Sequence, residues 1–267
     1  MVVSAIKGVT DGLLAAWDRA PRMSTIETFE TVENLILYPH LKKAQELGFT
    51  KADISQLSDV FSEPSMMLVE DLQRGLPPRD SILSAGERFS SLLLTEHLKR
   101  LGIPAVAVKA TEIIHTKFGV ADHPEINWKT TSKDSQRVLG EHIRNDKIPI
   151  VTGFIASDQY GRTVTLGRDG SNYTAVVLGN TMNAKTVNIW TDVDGIYTGN
   201  PTTDSNARFI ETMSHEDADA LAKAAGGHKI LFREIMDPLK GKNTVLVIRN
   251  TNNPEHPGTR ITPQLSI

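Results

Sequence analysis

The chain of 267 residues contains no cysteine. That excludes a disulfide framework, a thiolate zinc site and a cysteine nucleophile, and removes any sign of an oxidising compartment. A strong excess of one charge is also missing. Lys+Arg number 29 against 32 Asp+Glu, a formal net charge of -3 with a pI near 6.2. Such a chain has no basic field to neutralise a nucleic-acid backbone, so nucleic acid is excluded as a main partner. No apolar run approaches the length that spans a bilayer. The opening segment is interrupted at Lys7 and lacks a signal-peptide cleavage pattern. These readings exclude a membrane and lead to a cytoplasmic location, or an organelle stroma reached by a lost transit peptide, as the expectation. There is no GxxxxGK(S/T) phosphate loop and no strand-anchored GxGxxG; the GGHK run at 226–229 lacks the first glycine and the closing hydroxyl residue. Any use of ATP therefore runs through neither a P-loop nor a protein-kinase scaffold. The eight histidines are scattered. His215 stands beside Glu216, Asp217 and Asp219, a cluster better read as the acidic start of a helix than as a metal site. No metal ligand is expected from the side chains, and a Ser/His/Asp triad has no nucleophile elbow to stand on.

What is present is ordinary in bulk, 39% hydrophobic and 23% charged, enough for one large core or two modest ones. The β-branched run at 2–6 predicts a strand, and Lys7-Gly8 a turn into a helix over 10–17. Residues 25–48 and 57–75 carry apolar positions at helical spacing, with Gly48 and Gly75 placed as C-terminal stops. Residues 82–102 read as a strand end running into a helix, and 103–108 as the next strand. A helix over 133–145, a buried strand over 148–155, a turn at 158–161 and a strand at 162–166 follow, the last two forming a hairpin. Further on come a helix at 171–182, a strand at 186–191, a helix at 214–225 with Ser214 and Asp217 matching a capping box, and a strand at 244–248. Alternation over this length predicts the α/β class: a three-layer αβα sandwich on a mostly parallel central sheet. One domain over 1–267 is expected, with an N-terminal lobe of about 1–180 and a C-terminal lobe of about 181–267.

Residues 151–201 carry the densest chemistry. In TLGRDGSNY, Gly167 and Gly170 permit close backbone approach, and Ser171 and Asn172 open the helix, whose unpaired N–H groups suit phosphate or carboxylate oxygens. Arg168, between the glycines, offers a planar fork of donors for the same anions. A lone GxxG is more often a plain helix cap. In IWTDVDGIYTGNP, a strand ending in Thr191-Asp192 puts polar groups at the carboxyl end, where open α/β sheets bind ligands, and Tyr197 can pack on a flat base. A tight acidic turn with a core tyrosine explains it equally well. In SAGERFS, Glu87 lies in the first turn of a helix, where a carboxylate can receive an ammonium group, although acidic side chains are favoured there for structural reasons alone.

These motifs, together with VVSAIKGVTDGLL at the start, IPIVTGFIASD, the segment around GGHKI and VIRNTNNPEHPGTRI near the end, occur in an order that resembles the catalytic domain of aspartate kinases. Those enzymes are members of the amino acid kinase superfamily, whose fold is carbamate kinase-like. The resemblance covers nearly the whole chain. It implies transfer of the ATP γ-phosphoryl group to the side-chain carboxylate of L-aspartate with Mg²⁺, the first step towards lysine, threonine, methionine and isoleucine. It implies Thr10, Glu87, Gly167, Arg168, Gly170 and Ser171 in the aspartate pocket, and Thr191, Asp192, Tyr197, Lys229 and Ile230 on the ATP side. Arg168, Lys229 and Asn172 would act closest to the transferring group, and a homodimer is implied as well. By the resemblance, the chain is expected to lack the family's KFGGTS-type strand, which would sit ahead of Met1, and its ACT-type regulatory domains, which would follow Ile267. Within the chain, Asn172 stands where many members have aspartate, Thr202 where an arginine is usual, and Phe232 in place of a common histidine. A catalytically silent ligand-binding subunit and a kinase acting on another acceptor are the alternative readings.

Overall fold

The computed structural model describes residues 1–74, 79–117, 124–167, 169–199, 203–223 and 235–264. The elements, in chain order, begin with strand β1 (Val2–Val3) and helices α1 (Val9–Arg19), α2 (Thr25–Val32), α3 (Tyr38–Glu46), α4 (Lys51–Arg74), α5 (Arg79–Leu83) and α6 (Ala85–Arg100). Then come β2 (Ala105–Val108), α7 (Trp128–Arg144), β3 (Ile148–Thr152), β4 (Ile155–Ser157), β5 (Thr163–Thr165) and α8 (Gly170–Thr181). The remainder is β6 (Thr186–Thr191), β7 (Ile196–Tyr197), β8 (Phe209–Ile210), β9 (Thr212–Ser214), α9 (His215–Lys223), β10 (Val245–Asn250) and β11 (Thr259–Thr262). Chain contacts divide these into two compact units, Met1–Ser171 and Asn172–Ile267.

In the first unit β1, β3 and β2 form a parallel sheet in that order, with Val2 opposite Val151 and Ala105 opposite Ile148. Parallel pairing sends the carboxyl ends of all three strands to one edge, and the site is built there. Gly8, with φ +86°, makes the left-handed turn that starts α1, which buries Val9, Leu13 and Ala16 at helical spacing. α2 opens on a complete capping box: Ser24 Oγ accepts from Glu27 N at 3.2 Å, and the Glu27 carboxylate accepts from Ser24 N at 2.7 Å. Ser24→Ala should cost about 0.5–2 kcal/mol, read as a lower urea midpoint with an unchanged slope. Between α2 and α3 a single π-helical segment, Glu33–Leu37, closes with Tyr38 N–H donating to the Glu33 carbonyl. Pro39 follows directly; it has no N–H and its ring crowds the preceding turn, which the wider turn accommodates. The core of this unit gathers Leu13, Ile36, Phe61, Leu72, Ile82 and Phe89. His40 is fully buried among them, its Nδ1 2.6 Å from the Ile36 carbonyl and its ring against Phe61 and Phe89. Burial holds its pKa below the usual histidine value.

In the second unit the order is β6-β10-β11-β9. β6 and β10 run parallel, with Ile189 opposite Ile248; β11 is antiparallel to β10 and parallel to β9. Val176, Ile189, Leu246, Ile248 and Ile261 are buried in its core.

Besides shifts in element bounds such as β1 ending at Val3 and α4 starting at Lys51, four departures from the sequence reading bear on the architecture. Ile82 and Leu83 lie in helix α5, not at a strand end, because both are buried against the helical section and a strand has no partner there. The apolar run 148–155 is two strands: Phe154 takes a left-handed conformation, φ +70°, that breaks the ladder after Thr152. α7 starts five residues ahead of 133, capped by Asn127 Oδ1 accepting from Thr130 N at 3.3 Å. The Ser214/Asp217 cap is half a capping box: Ser214 Oγ accepts from Asp217 N and itself donates to the Asp217 carboxylate. The hairpin is as expected, β4 against β5 with Ile155 opposite Thr165. Gly75, and the end of the helix expected to reach 225, lie outside the described residues.

Candidate functional site

In the first unit the site assembles around the end of β1. Gly86, in the first turn of α6, has no room for a side chain: a Cβ there would stand 2.5 Å from Ala5 Cβ and 3.0 Å from Val9 Cγ1. That close approach sets α6 on the segment between β1 and α1, and it draws the next residue, Glu87, inside. Glu87 is 3% exposed, and its Oε2 has no hydrogen-bond partner among the described residues. Burial pushes its pKa up to about 7, against the pull of hydrogen bonds from the backbone N–H groups of Ala5 and Glu87 itself. A solvated acid would serve the helix N-terminus equally well, so burial with an open acceptor is a cost that stabilising α6 does not require. Thr10 lies in the first turn of α1, beside Val9 and therefore beside this junction.

The other side of β1 holds Ser171. Gly153 N donates to the Val3 carbonyl at 2.9 Å. A Cβ on Gly153 would stand 2.6 Å from Ser171 Oγ and 2.8 Å from the Val3 oxygen. Ser171 thus rests on the carboxyl ends of β1 and β3, two residues of chain from the Ala5 amide that faces Glu87. Gly170 is as tightly constrained: a Cβ would fall 2.9 Å from Phe154 Cδ2 and 3.1 Å from its Cα. Gly167 adopts φ +76° and its carbonyl accepts from Gly170 N at 3.2 Å, which turns the chain into α8. Glu87 is accordingly set against segment 5–9 through Gly86, and Gly170 and Ser171 against segment 153–154. Asn172 continues α8 as the first residue of the second unit. Arg168 lies outside the described residues. Gly153 and Phe154 were missed by sequence reasoning; the signal available was a glycine directly after a buried run, which also fits an ordinary strand end.

In the second unit β6 ends at Thr191, whose hydroxyl donates to Asp192 Oδ1 at 3.2 Å. The loop then runs through Asp194 and Gly195 to Tyr197 in β7, where the Tyr197 ring meets Phe209 edge-on at 5.6 Å. Gly195 is packed on Thr259: a Cβ would stand 2.5 Å from Thr259 Oγ1. Thr259 Oγ1 also accepts from Ile196 N at 2.8 Å. Lys229 and Ile230 lie outside the described residues, as do Thr202 and Phe232. Among the described residues no three His, Asp or Glu side chains converge to hold a metal ion. That donor set offers no cage, and fits Mg²⁺ only as an ion carried mainly by phosphate oxygens.

One arrangement imitates a hydrolase. His115 Nδ1 lies 2.8 Å from Ser157 Oγ, and its Nε2 lies 3.0 Å from Asp134 Oδ2 without aligned hydrogen-bond geometry. The ring is turned opposite to a triad, in which Nε2 faces the serine, and Ser157 is buried on the Ile114 carbonyl. These contacts fasten β4 to the segment at 114–116 and to α7.

The sequence matches the Amino acid kinase family over residues 1–250, and the chain belongs to that family. Aspartokinases are among the relatives it is similar to. Aspartokinase 3, chloroplastic, of Arabidopsis thaliana is 30% identical over 98% of this chain and 47% of its own length. Lysine-sensitive aspartokinase 3 of Escherichia coli is 29% identical over 98% of this chain and 57% of its own. The crystal structure of E. coli aspartokinase III in complex with aspartate and ADP (R-state) matches with a TM-score of 0.82 at 27% identity, covering 99% of this chain and 58% of that one. The chain spans between 29% and 57% of the length of these and similar curated relatives. The α/β class, the mostly parallel pairing and the amino acid kinase fold are those the sequence led us to expect. No helix among the described residues is long and apolar enough to cross a membrane.

Proposed function

We propose that the chain is the catalytic region of an aspartate kinase, with L-aspartate held by a lobe of about 1–180 and ATP by a lobe of about 181–267. The observation that carries this reading is Glu87: a carboxylate 3% exposed, with one oxygen open, at the same strand end that positions Ser171. A buried acceptor of that kind suits an ammonium group, which would stabilise the ionised form. The likeness to aspartokinases supports the choice of acceptor. In this reading Glu87 takes the substrate ammonium, Arg168 a carboxylate, and the N–H groups at the start of α8, with Thr10 and Ser171, fix the orientation. Thr191, Asp192, Tyr197 and Ile230 hold the nucleotide, while Lys229 and Asn172 face the phosphoryl group.

The side-chain carboxylate of aspartate is ionised at neutral pH and needs no protein base. One of its oxygens forms a bond to the γ-phosphorus as the bond from that phosphorus to the β–γ bridging oxygen breaks; ADP leaves with the electron pair. The residues' work is alignment and charge neutralisation. Mg²⁺, when bound with ATP, adds to the neutralisation at the phosphates. The product, 4-phospho-L-aspartate, would open the route to lysine, threonine, methionine and isoleucine. Incubation with ATP, Mg²⁺ and L-aspartate in the presence of hydroxylamine should give aspartyl hydroxamate. Equal or greater hydroxamate from L-glutamate would assign a different acceptor, and none from either would end the kinase reading.

A further inference from the structure

We infer that Asn250 and Asn253 are positioning residues for nucleotide binding, acting through Asp194 on the 191–197 loop; the inference rests on the nucleotide role proposed for that loop. Asp194 Oδ1 accepts from Asn250 Nδ2 at 2.8 Å and from Asn253 Nδ2 at 3.1 Å. The Asn250 amide can turn only one way, because its Oδ1 accepts from Asn252 N at 2.8 Å. Its remaining donors therefore point at the loop. The two backbones are joined as well: Thr251 N donates to the Thr191 carbonyl at 2.8 Å, continuing the β6–β10 ladder one step past the strands.

A second hold comes from the same turn. His256 meets Phe209 edge-on at 4.9 Å, and Phe209 meets Tyr197. His256 Nδ1 accepts from Gly258 N at 3.2 Å, which fixes the ring. Gly258 lies so close to β10 that a Cβ there would stand 2.0 Å from the Ile248 carbonyl oxygen. Thus the 250–258 turn grips the loop at Asp194 and, through Phe209, at Tyr197. Neither asparagine is placed on the nucleotide, so their influence on binding runs through the loop's shape. The two asparagines hold the Asp194 carboxyl below the usual range, with Asn250 the larger cause.

Polarity exchange tests this. Asn250→Asp sets two carboxylates against each other and should weaken ADP binding at least 10-fold by calorimetry, with L-aspartate affinity unchanged within 2-fold. The double variant Asp194→Asn with Asn250→Asp restores donor to acceptor with roles reversed and should return ADP affinity to within 3-fold of the unaltered chain. Asn253→Asp should act like Asn250→Asp in a smaller degree and serves if the latter fails to fold. A merely structural role would show as equal losses for ADP and aspartate alongside a lower melting temperature, with no recovery in the double variant, and would overturn the inference. Unaltered ADP affinity in folded Asn250→Asp and Asn253→Asp variants would overturn it too, leaving the nucleotide reading intact. Absence of ADP binding by the unaltered chain would remove that reading and this inference together.

Discussion

Replacing Glu87 with glutamine should weaken L-aspartate binding by about 30-fold to several-thousand-fold, the 2–5 kcal/mol lost when one partner of a buried charge pair is removed. ADP affinity should not change. The same substitution should not destabilise the ligand-free protein at pH 8, which separates a ligand-binding carboxylate from a structural one. With its folded pKa raised to about 7, Glu87 keeps a proton in the folded chain that the unfolded chain has already released above about pH 4.5. The contribution from this group is therefore fully present below pH 4.5 and lost as pH rises through 7, about 3 kcal/mol in all. Glutamine removes that loss, so melting temperatures of the variant from pH 5 to 8 should fall less steeply than those of the unaltered chain. Aspartate binding near pH 7 should also release a proton as its ammonium ionises Glu87, seen as a binding enthalpy that depends on the buffer. Unchanged aspartate affinity together with an unchanged pH slope would refute both roles.

Gly153→Ala should be the most damaging single-methyl change at the site. The new Cβ would press on the Val3 carbonyl oxygen and on Ser171 Oγ, and the first of these is backbone within a hydrogen-bonded sheet. Overpacking of this kind costs about 1–3 kcal/mol, roughly 3–10 °C in melting temperature for a chain of this size. Relief requires the start of α8 to move away, so L-aspartate binding should be lost as well. Gly161→Ala is the control. Unlike Gly153 it sits at positive φ, +76°, but a Cβ there meets nothing within 4 Å. Its cost should be about 1–2 kcal/mol of backbone strain with aspartate affinity retained. Equal aspartate affinity in the two variants would show that the contact between Gly153 and Ser171 does not position the site.

Both predictions turn on burial and close approach, which are the properties least visible in a linear sequence. Periodicity and turn chemistry were legible: β6 spans the expected 186–191, the Lys7-Gly8 turn does start a helix, and the Asp158–Gly161 region does close a hairpin. These are local features, fixed by alternation and by glycine. Ile82 was misread because a short apolar run looks alike in a strand and in a buried helix. The break at Phe154 could not be read at all, since a left-handed phenylalanine is imposed by its packing beside Gly170. Glu87 could be named as an acid at a helix start, but its exclusion from water depends on Gly86 meeting Ala5 across some eighty residues of chain. Asp194 and Asn250 were hidden for a similar reason: asparagines in turns usually serve their own backbone, and only the register of β6 against β10 brings these two together.

The parallel pairing of β1 with β3 also sets an order of events during synthesis. Val2 pairs with Val151, so the β1–β3 edge on which Ser171 rests cannot form before residues 148–152 have been made. At about 5–20 residues per second, the emerging β1 waits roughly 7–30 s for β3. Throughout that interval the side of β1 that faces β3 lacks this partner, and the helices α1 to α6, rich in local contacts, can form first. The helical section is thus available as a platform against which the first strand is held until β3 arrives. Pulse proteolysis of stalled nascent chains should find β1 protected only once residues beyond 152 have left the ribosome.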